Sequence, residues 1–265
     1  MLRHEKQTYQ LNGLFMDTHN ALRTGWPEEI YHQGFCELAR QAGTLVESKP
    51  RKTIYHRGQE IHTFECDAIA FDLIVLEFKV LPYTNFAPGH LAQIIGYLKC
   101  WGKDLGLLVN FGGTRVKIQR VVWDVSLLKA MVNFDALQGH MHEDEQEDLN
   151  SIQNAVWEIG KQYGLGYSDT IYRPILGIEL NAAGFQCQPN QVIAASIEGK
   201  TLGDFESQYM LVNAKYLLSI RAILEHPTRY DFAQMKTFLR TMNLKIGLIV
   251  NFGKKELQIF GVNPD

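Results

Sequence analysis

Shifted by 141 residues, the sequence lies on itself, and this internal repeat limits the possible folds more than any other feature of the chain. Gly106-Leu107-Leu108-Val109-Asn110-Phe111-Gly112 falls on Gly247-Leu248-Ile249-Val250-Asn251-Phe252-Gly253. The same register sets Gly25 on Gly166, Tyr31 on Tyr172, Ala42-Gly43 on Ala183-Gly184, Gly58 on Gly199, Phe64 on Phe205, Ala92-Gln93 on Ala233-Gln234 and Leu98 on Leu239. One register held over so much of a half-chain predicts a duplicated domain of about 130 residues. The expected organisation is a first domain over 1–132, a second over 151–265, and an acidic stretch, 133–150, read as a solvated linker from its run Glu143-Asp144-Glu145-Gln146-Glu147-Asp148. His140 and His142 within it are candidate metal ligands on a polar segment.

Each half contains both helical and strand patterns. Leu11, Leu14, Phe15 and Leu22 keep a helical period over residues 10–23, and Pro27 opens a second helix, 28–42, with Tyr31, Phe35, Leu38 and Ala39 on its apolar side and Gly43 as its stop. Strands are predicted at 44–47, 51–56, 61–70 and 73–81, a third helix at 90–101, a buried strand at 106–111 and a polar-apolar alternating edge strand at 114–122. Along this edge strand Arg115, Lys117 and Arg120 read as charges that protect a solvated edge, with phosphate contacts as the alternative. No apolar run approaches the ~18 residues of a membrane span, and the N-terminus lacks the apolar core of a secretion signal, so a soluble, cytoplasmic protein without membrane contact is expected. Four scattered cysteines without a C-x2-C pair argue against structural zinc and read as buried thiols. Residues 1–132 carry 15 Lys and Arg against 13 Asp and Glu, and residues 133–265 carry 11 against 16. A global basic field for nucleic acid is therefore excluded, and any such surface must be a local patch in the first half.

The chemistry-bearing stretch is Phe64 to Val80. Alternation along a strand projects Glu77 and Lys79 to one face and Ile74, Leu76 and Phe78 to the other. A turn near Phe71-Asp72 brings Asp67 beside Glu77. Two carboxylates on rigid strands can hold a hard divalent cation such as magnesium, and an adjacent lysine can orient an attacking water. By itself this D-x9-E-x-K spacing also fits a salt-bridged solvent face. The repeat separates the two readings: Asp67 is matched by Gln208 and, with a one-residue shift, Glu77 and Lys79 by Ser219 and Arg221, so one copy keeps every charged residue and the other keeps none of the acids. Gln93 and Tyr97 lie one turn apart on the third helix and share a face; the second copy has Gln234 and Phe238 there.

These residues resemble the GxxExxY proteins of the PD-(D/E)XK nuclease superfamily over about residues 8–123. Gly25-Trp26-Pro27-Glu28-Glu29-Ile30-Tyr31 carries the naming motif, Asp67 with Glu77-Phe78-Lys79 the nuclease core, and Gln93-x3-Tyr97 resembles an extra motif of RecB-type exonucleases. Cys66 stands where the superfamily pattern has proline, and the second copy keeps only Gly166-x2-Asp169-x2-Tyr172 of the naming motif. The resemblance implies an α/β fold of two tandem restriction-endonuclease-like domains, each a central mixed sheet flanked by helices, the second degenerate and forming an intramolecular pseudo-dimer with the first. It implies magnesium, with manganese as a substitute, held by Asp67, Glu77 and the main chain of Phe78, with Lys79 positioning water. Glu28 either completes the acidic cluster or caps its helix, and Gln93 and Tyr97 orient Lys79 or the substrate. The implied activity is phosphodiester hydrolysis in DNA or RNA by the first copy; the alternative is a non-catalytic tandem scaffold binding a protein or nucleic-acid partner.

Overall fold

The computed structural model describes residues 3–83, 85–124, 127–139, 141–223, 226–253 and 255–265. The chain divides into two units, Met1–Asp124 and Val125–Asp265.

Unit 1 begins with two helices, α1 (Glu5–Leu22) and α2 (Glu28–Gln41), the first starting about one turn earlier than its apolar period indicates. Pro27 in extended conformation precedes α2, and Gly43, at φ 63°, ends it where a side chain would be strained. Strands β1 (Val46–Ser48), β2 (Arg51–His56), β3 (Gln59–Glu65), β4 (Ala68–Ala70) and β5 (Ile74–Lys79) follow, then α3 (Pro88–Trp101), β6 (Leu105–Asn110) and β7 (Lys117–Val122). The sheet runs β1-β4-β5-β6-β7, with β5 and β6 parallel and the other neighbours antiparallel. The expected single strand over 61–70 is two strands. β3 pairs with β2 in a separate ribbon, and the chain enters the central sheet only after Cys66-Asp67.

Side-chain alternation sorts the layers. Ile74, Leu76 and Phe78 of β5, with Leu105, Leu107 and Val109 of β6, pack with Leu11, Phe15, Tyr31, Phe35 and Ala39 of the first two helices in one buried core. Gly106 faces the other way, and a Cβ there would sit 2.6 Å from Ile94 Cδ1, so its bare backbone lets α3 lie close on the opposite face. The sheet is thus covered on both sides, as its continuous apolar strands require.

Unit 2 repeats the plan. α4 (Glu143–Tyr163), α5 (Asp169–Ala182), β9 (Cys187–Gln188), the ribbon of β10 (Val192–Ile197) and β11 (Lys200–Glu206), β12 (Met210–Val212), β13 (Tyr216–Arg221), α6 (Arg229–Thr241), β14 (Ile246–Phe252) and β15 (Leu257–Val262) correspond in order to α1 through β7. Even the ribbon irregularity recurs, between Ile54 and Tyr55 in one copy and between Ala195 and Ser196 in the other. Unit 2 adds one strand, β8 (Ala130–Asn133), which pairs in parallel with the outer edge of β15.

The acidic run expected as a linker is instead the start of α4. Its carboxylates lie at the helix N-terminus, where the backbone dipole favours them. The Glu145 carboxylate accepts the His142 N–H at 2.9 Å, and Asp148 accepts the Tyr216 hydroxyl at 2.6 Å. Behind the acids Leu149, Ile152, Val156 and Ile159 are buried at helical spacing, so composition alone misjudged an amphipathic helix. His142 is thereby a helix-capping residue; His140 lies outside the described residues. Of the cysteines, Cys66 and Cys100 are buried, whereas Cys36 and Cys187 are half-buried. No helix among the described residues is long and apolar enough to cross a membrane.

Candidate active site

A turn places the first acid. Phe71 and Asp72 are both left-handed, φ 56° and 54°, and the Leu73 N–H donates to the Ala70 carbonyl at 3.0 Å, which makes a type I′ turn between β4 and β5. Its register pairs Ala68 with Leu76 and Ala70 with Ile74, so Asp67, one residue before β4, comes up against Glu77. The Asp67 Oδ2 accepts the Phe78 N–H at 2.6 Å, fixing this carboxylate to the backbone of the strand that carries the second acid.

Glu77 and Lys79 share the α3 side of β5, and Lys79 Nζ donates to Glu77 Oε1 at 2.6 Å. Glu28, from the first turn of α2, stands 3.8 Å from the same ammonium. The Glu77 side chain is 4% exposed and that of Lys79 14%, while Glu28 opens to solvent at 42%. Burial and then the neighbouring Asp67 push the Glu77 carboxyl up to about 8 despite the ammonium beside it. Burial also raises Glu28, against the pull of Lys79. For Lys79, burial works to lower the ammonium, but Glu77, Glu28 and Asp67 outweigh it and the group is raised. Asp67, Glu77, Lys79 and Glu28 are therefore brought together as expected. Gln93 is not on Lys79: its amide donates to the Tyr97 hydroxyl at 2.8 Å, and Tyr97, held up by burial and by the charge of Glu77, packs edge-on against Phe64 of β3. For Phe78 it is the amide that is engaged in the cluster, through Asp67.

Tyr31 is a core residue. Its ring stacks on Phe111 with centroids 4.9 Å apart and its hydroxyl donates to the Arg23 carbonyl at 2.5 Å; Tyr172 repeats both contacts, on Phe252 at 4.1 Å and Gly164 at 2.6 Å. His32 is the site neighbour that sequence reasoning missed. Its Nε2 lies 3.0 Å from the Asp67 carbonyl and 3.1 Å from Ser48 Oγ. The available signal was its replacement across the repeat by Arg173.

In unit 2 arginines stand at the positions of His32 and Lys79. Arg173 Nη2 donates to Asp169 at 2.6 Å and to Gln208 at 2.8 Å, and Arg221 contacts Ser219 Oγ at 3.1 Å and Asp231 at 2.8 Å. Each cation pairs with an acid of its own unit, Arg173 with Asp169 and Arg221 with Asp231, and no acid remains at the positions of Asp67 and Glu77.

Among the described residues no group of three or more His, Cys, Asp or Glu side chains is placed to hold a metal ion, so a cation would have two side-chain carboxylates at most in the present arrangement. The oxygen donors of unit 1 nonetheless fit a hard cation that keeps several waters. Asp67 and Glu77 are fixed on adjoining backbone, Glu28 is at the rim, and the buried charge of Glu77 is only partly offset by Lys79.

Comparison with curated proteins finds no match. A solved structure, the crystal structure of SSO0001, aligns over 37% of this chain and 50% of its own, at 21% identity and a TM-score of 0.31, too slight a likeness to bear on the architecture. The model of the PD-(D/E)XK nuclease superfamily matches twice, over residues 5–121 and 146–260. These two regions coincide with the two repeats and take in most of the sequence, and the chain belongs to the PD-(D/E)XK nuclease superfamily.

Proposed function

We propose that unit 1 is a divalent-metal-dependent nuclease that hydrolyses phosphodiester bonds in DNA or RNA, and that unit 2 is a non-catalytic partner domain. The observation that carries this reading is the Asp67, Glu77 and Lys79 cluster, with Asp67 held on the Phe78 amide and Lys79 on Glu77, each at 2.6 Å, in one copy and replaced by Gln208, Ser219 and Arg221 in the other. Asp67 and Glu77 would hold the cation through carboxylate oxygens, the Phe78 main chain would sit beside it, and Glu28 would reach it from α2. Bound magnesium or manganese supplies Lewis acidity at a phosphate oxygen and a lowered pKa for water. Lys79, released from Glu77 once that carboxylate is otherwise engaged, holds the attacking water by donating to its oxygen and then faces the charge that develops on the phosphate. Tyr97 and Gln93, bonded to each other, form a fixed polar wall beside Glu77 and act on placement.

Cleavage assays on single-stranded and double-stranded DNA and on RNA, with and without Mg2+ or Mn2+, test the assignment. Metal-dependent cleavage by the wild type is expected, with a loss of roughly 100-fold or more in Lys79→Ala. Equal inactivity of both proteins across the panel would leave the scaffold reading, in which the whole tandem binds a partner without turnover. Arg173 and Arg221 favour that reading for unit 2.

A further inference from the structure

We propose that His32 is a positioning residue for Asp67, and that an arginine at this position of α2, as in unit 2, bars a cation from the site. The inference rests on the metal-site reading of unit 1.

His32 follows Tyr31 on α2, and its ring is buried, 4% exposed, against Phe78 with centroids 6.0 Å apart. Its Nε2 points at the main-chain carbonyl of Asp67, 3.0 Å away, and at Ser48 Oγ. A carbonyl oxygen can only accept, so Nε2 carries the hydrogen and Nδ1 the lone pair. Nδ1 is buried without a hydrogen-bond partner among the described residues, in keeping with that tautomer. The same carbonyl accepts the Lys49 N–H at 2.9 Å. With two donors on its carbonyl and the Phe78 amide on Oδ2, Asp67 is gripped at both ends, and Oδ1 is the oxygen outside these bonds. The imidazole thus fixes the acid through its backbone without placing a competing donor on the carboxylate.

Arg173 at the equivalent position does the opposite. Its guanidinium reaches past the backbone and donates to the side chains of Asp169 and Gln208, the counterparts of Glu28 and Asp67. A fixed positive charge stands between the two ligand positions, where a divalent ion would be repelled.

Calorimetric titration of the full chain with MnCl2 tests this in wild type, His32→Gln, His32→Leu and His32→Arg, alongside histidine 15N shifts of the metal-free protein. Glutamine offers an N–H near the place of Nε2 and is expected to bind within ~3-fold of wild type, leucine ~10–100-fold more weakly, and arginine not at all. Melting curves identify any variant that fails to fold. Wild-type affinity in folded His32→Leu, or undiminished binding in His32→Arg, would overturn the proposal. If the wild type takes up no Mn2+, the metal-site reading itself fails, and the 15N shifts still judge the geometry: an Nε2–H tautomer supports the grip on Asp67, and an Nδ1–H tautomer refutes it.

Discussion

Glu77 is a carboxylate almost sealed from water, with a second carboxylate beside it and one ammonium in contact. Its folded-state pKa of about 8 lies above the ordinary 4.5, so between those values the folded protein holds a proton that the unfolded chain has released. Metal-free stability should therefore fall as pH rises from about 4.5 to 8, by on the order of a few kcal/mol, and level off above that. Urea unfolding across this range checks it, and Glu77→Gln is expected to flatten the slope. Tyr31→Phe should cost about 1 kcal/mol for its lost hydrogen bond to Arg23 and leave metal binding unchanged, as equilibrium unfolding and calorimetry would show. At this scale the acids and Lys79 were legible because strand alternation and a two-residue turn are arithmetic: the spacing itself sets Asp67 against Glu77. His32 was not legible, because it acts on a main-chain carbonyl, and backbone contacts leave no pattern of residue types. Gln93 was readable as sharing a face with Tyr97, but its choice of Tyr97 over Lys79 depends on how α3 is seated on the sheet.

The element conserved most visibly across the repeat, GLLVNFG, is structural. Asn110, 2% exposed, accepts the Leu81 and Gly112 N–H groups and donates to the Leu81 and Tyr83 carbonyls, pinning the loop that leaves β5 directly after Lys79. Asn251 likewise accepts the Ile223 N–H after Arg221. A Cβ at Gly112 would fall 2.5 Å from the Leu81 backbone, so the glycine is what lets the two segments touch. Asn110→Ala should destabilise unit 1 by roughly 2–3 kcal/mol, since several buried backbone groups lose their partner together. Denaturant titration followed by tryptophan fluorescence checks this; three of the four tryptophans, Trp26, Trp101 and Trp123, belong to unit 1. Helices and central strands were readable from apolar period because burial alone sets them. The ribbons were harder to separate from the sheet: β3 and β4 are almost continuous in sequence, and only pairing partners tell them apart. The acidic start of α4 was misread because a charge run has the same composition whether solvated or held at a helix end.

Across the whole molecule, duplication with loss on one side predicts a stoichiometry. Calorimetry should give one Mn2+ per chain, and hydrogen exchange with and without the ion should gain protection around β4 and β5 and none around β12 and β13. The added strand β8 has a further consequence, for where the polypeptide can be divided. The outer edge of unit 1 is β7, whose Lys117 is exposed and whose Arg120 is tied to Thr8 and the Arg3 carbonyl. Unit 2 ends its sheet with Leu257–Val262, largely apolar and buried, and relies on β8 to occupy the backbone groups along that side. A cut after residue 132, where repeat length alone would put it, passes through β8. A fragment starting at Phe134 should stack through its bared edge into growing aggregates, whereas one starting at Leu127 should stay monodisperse in light scattering.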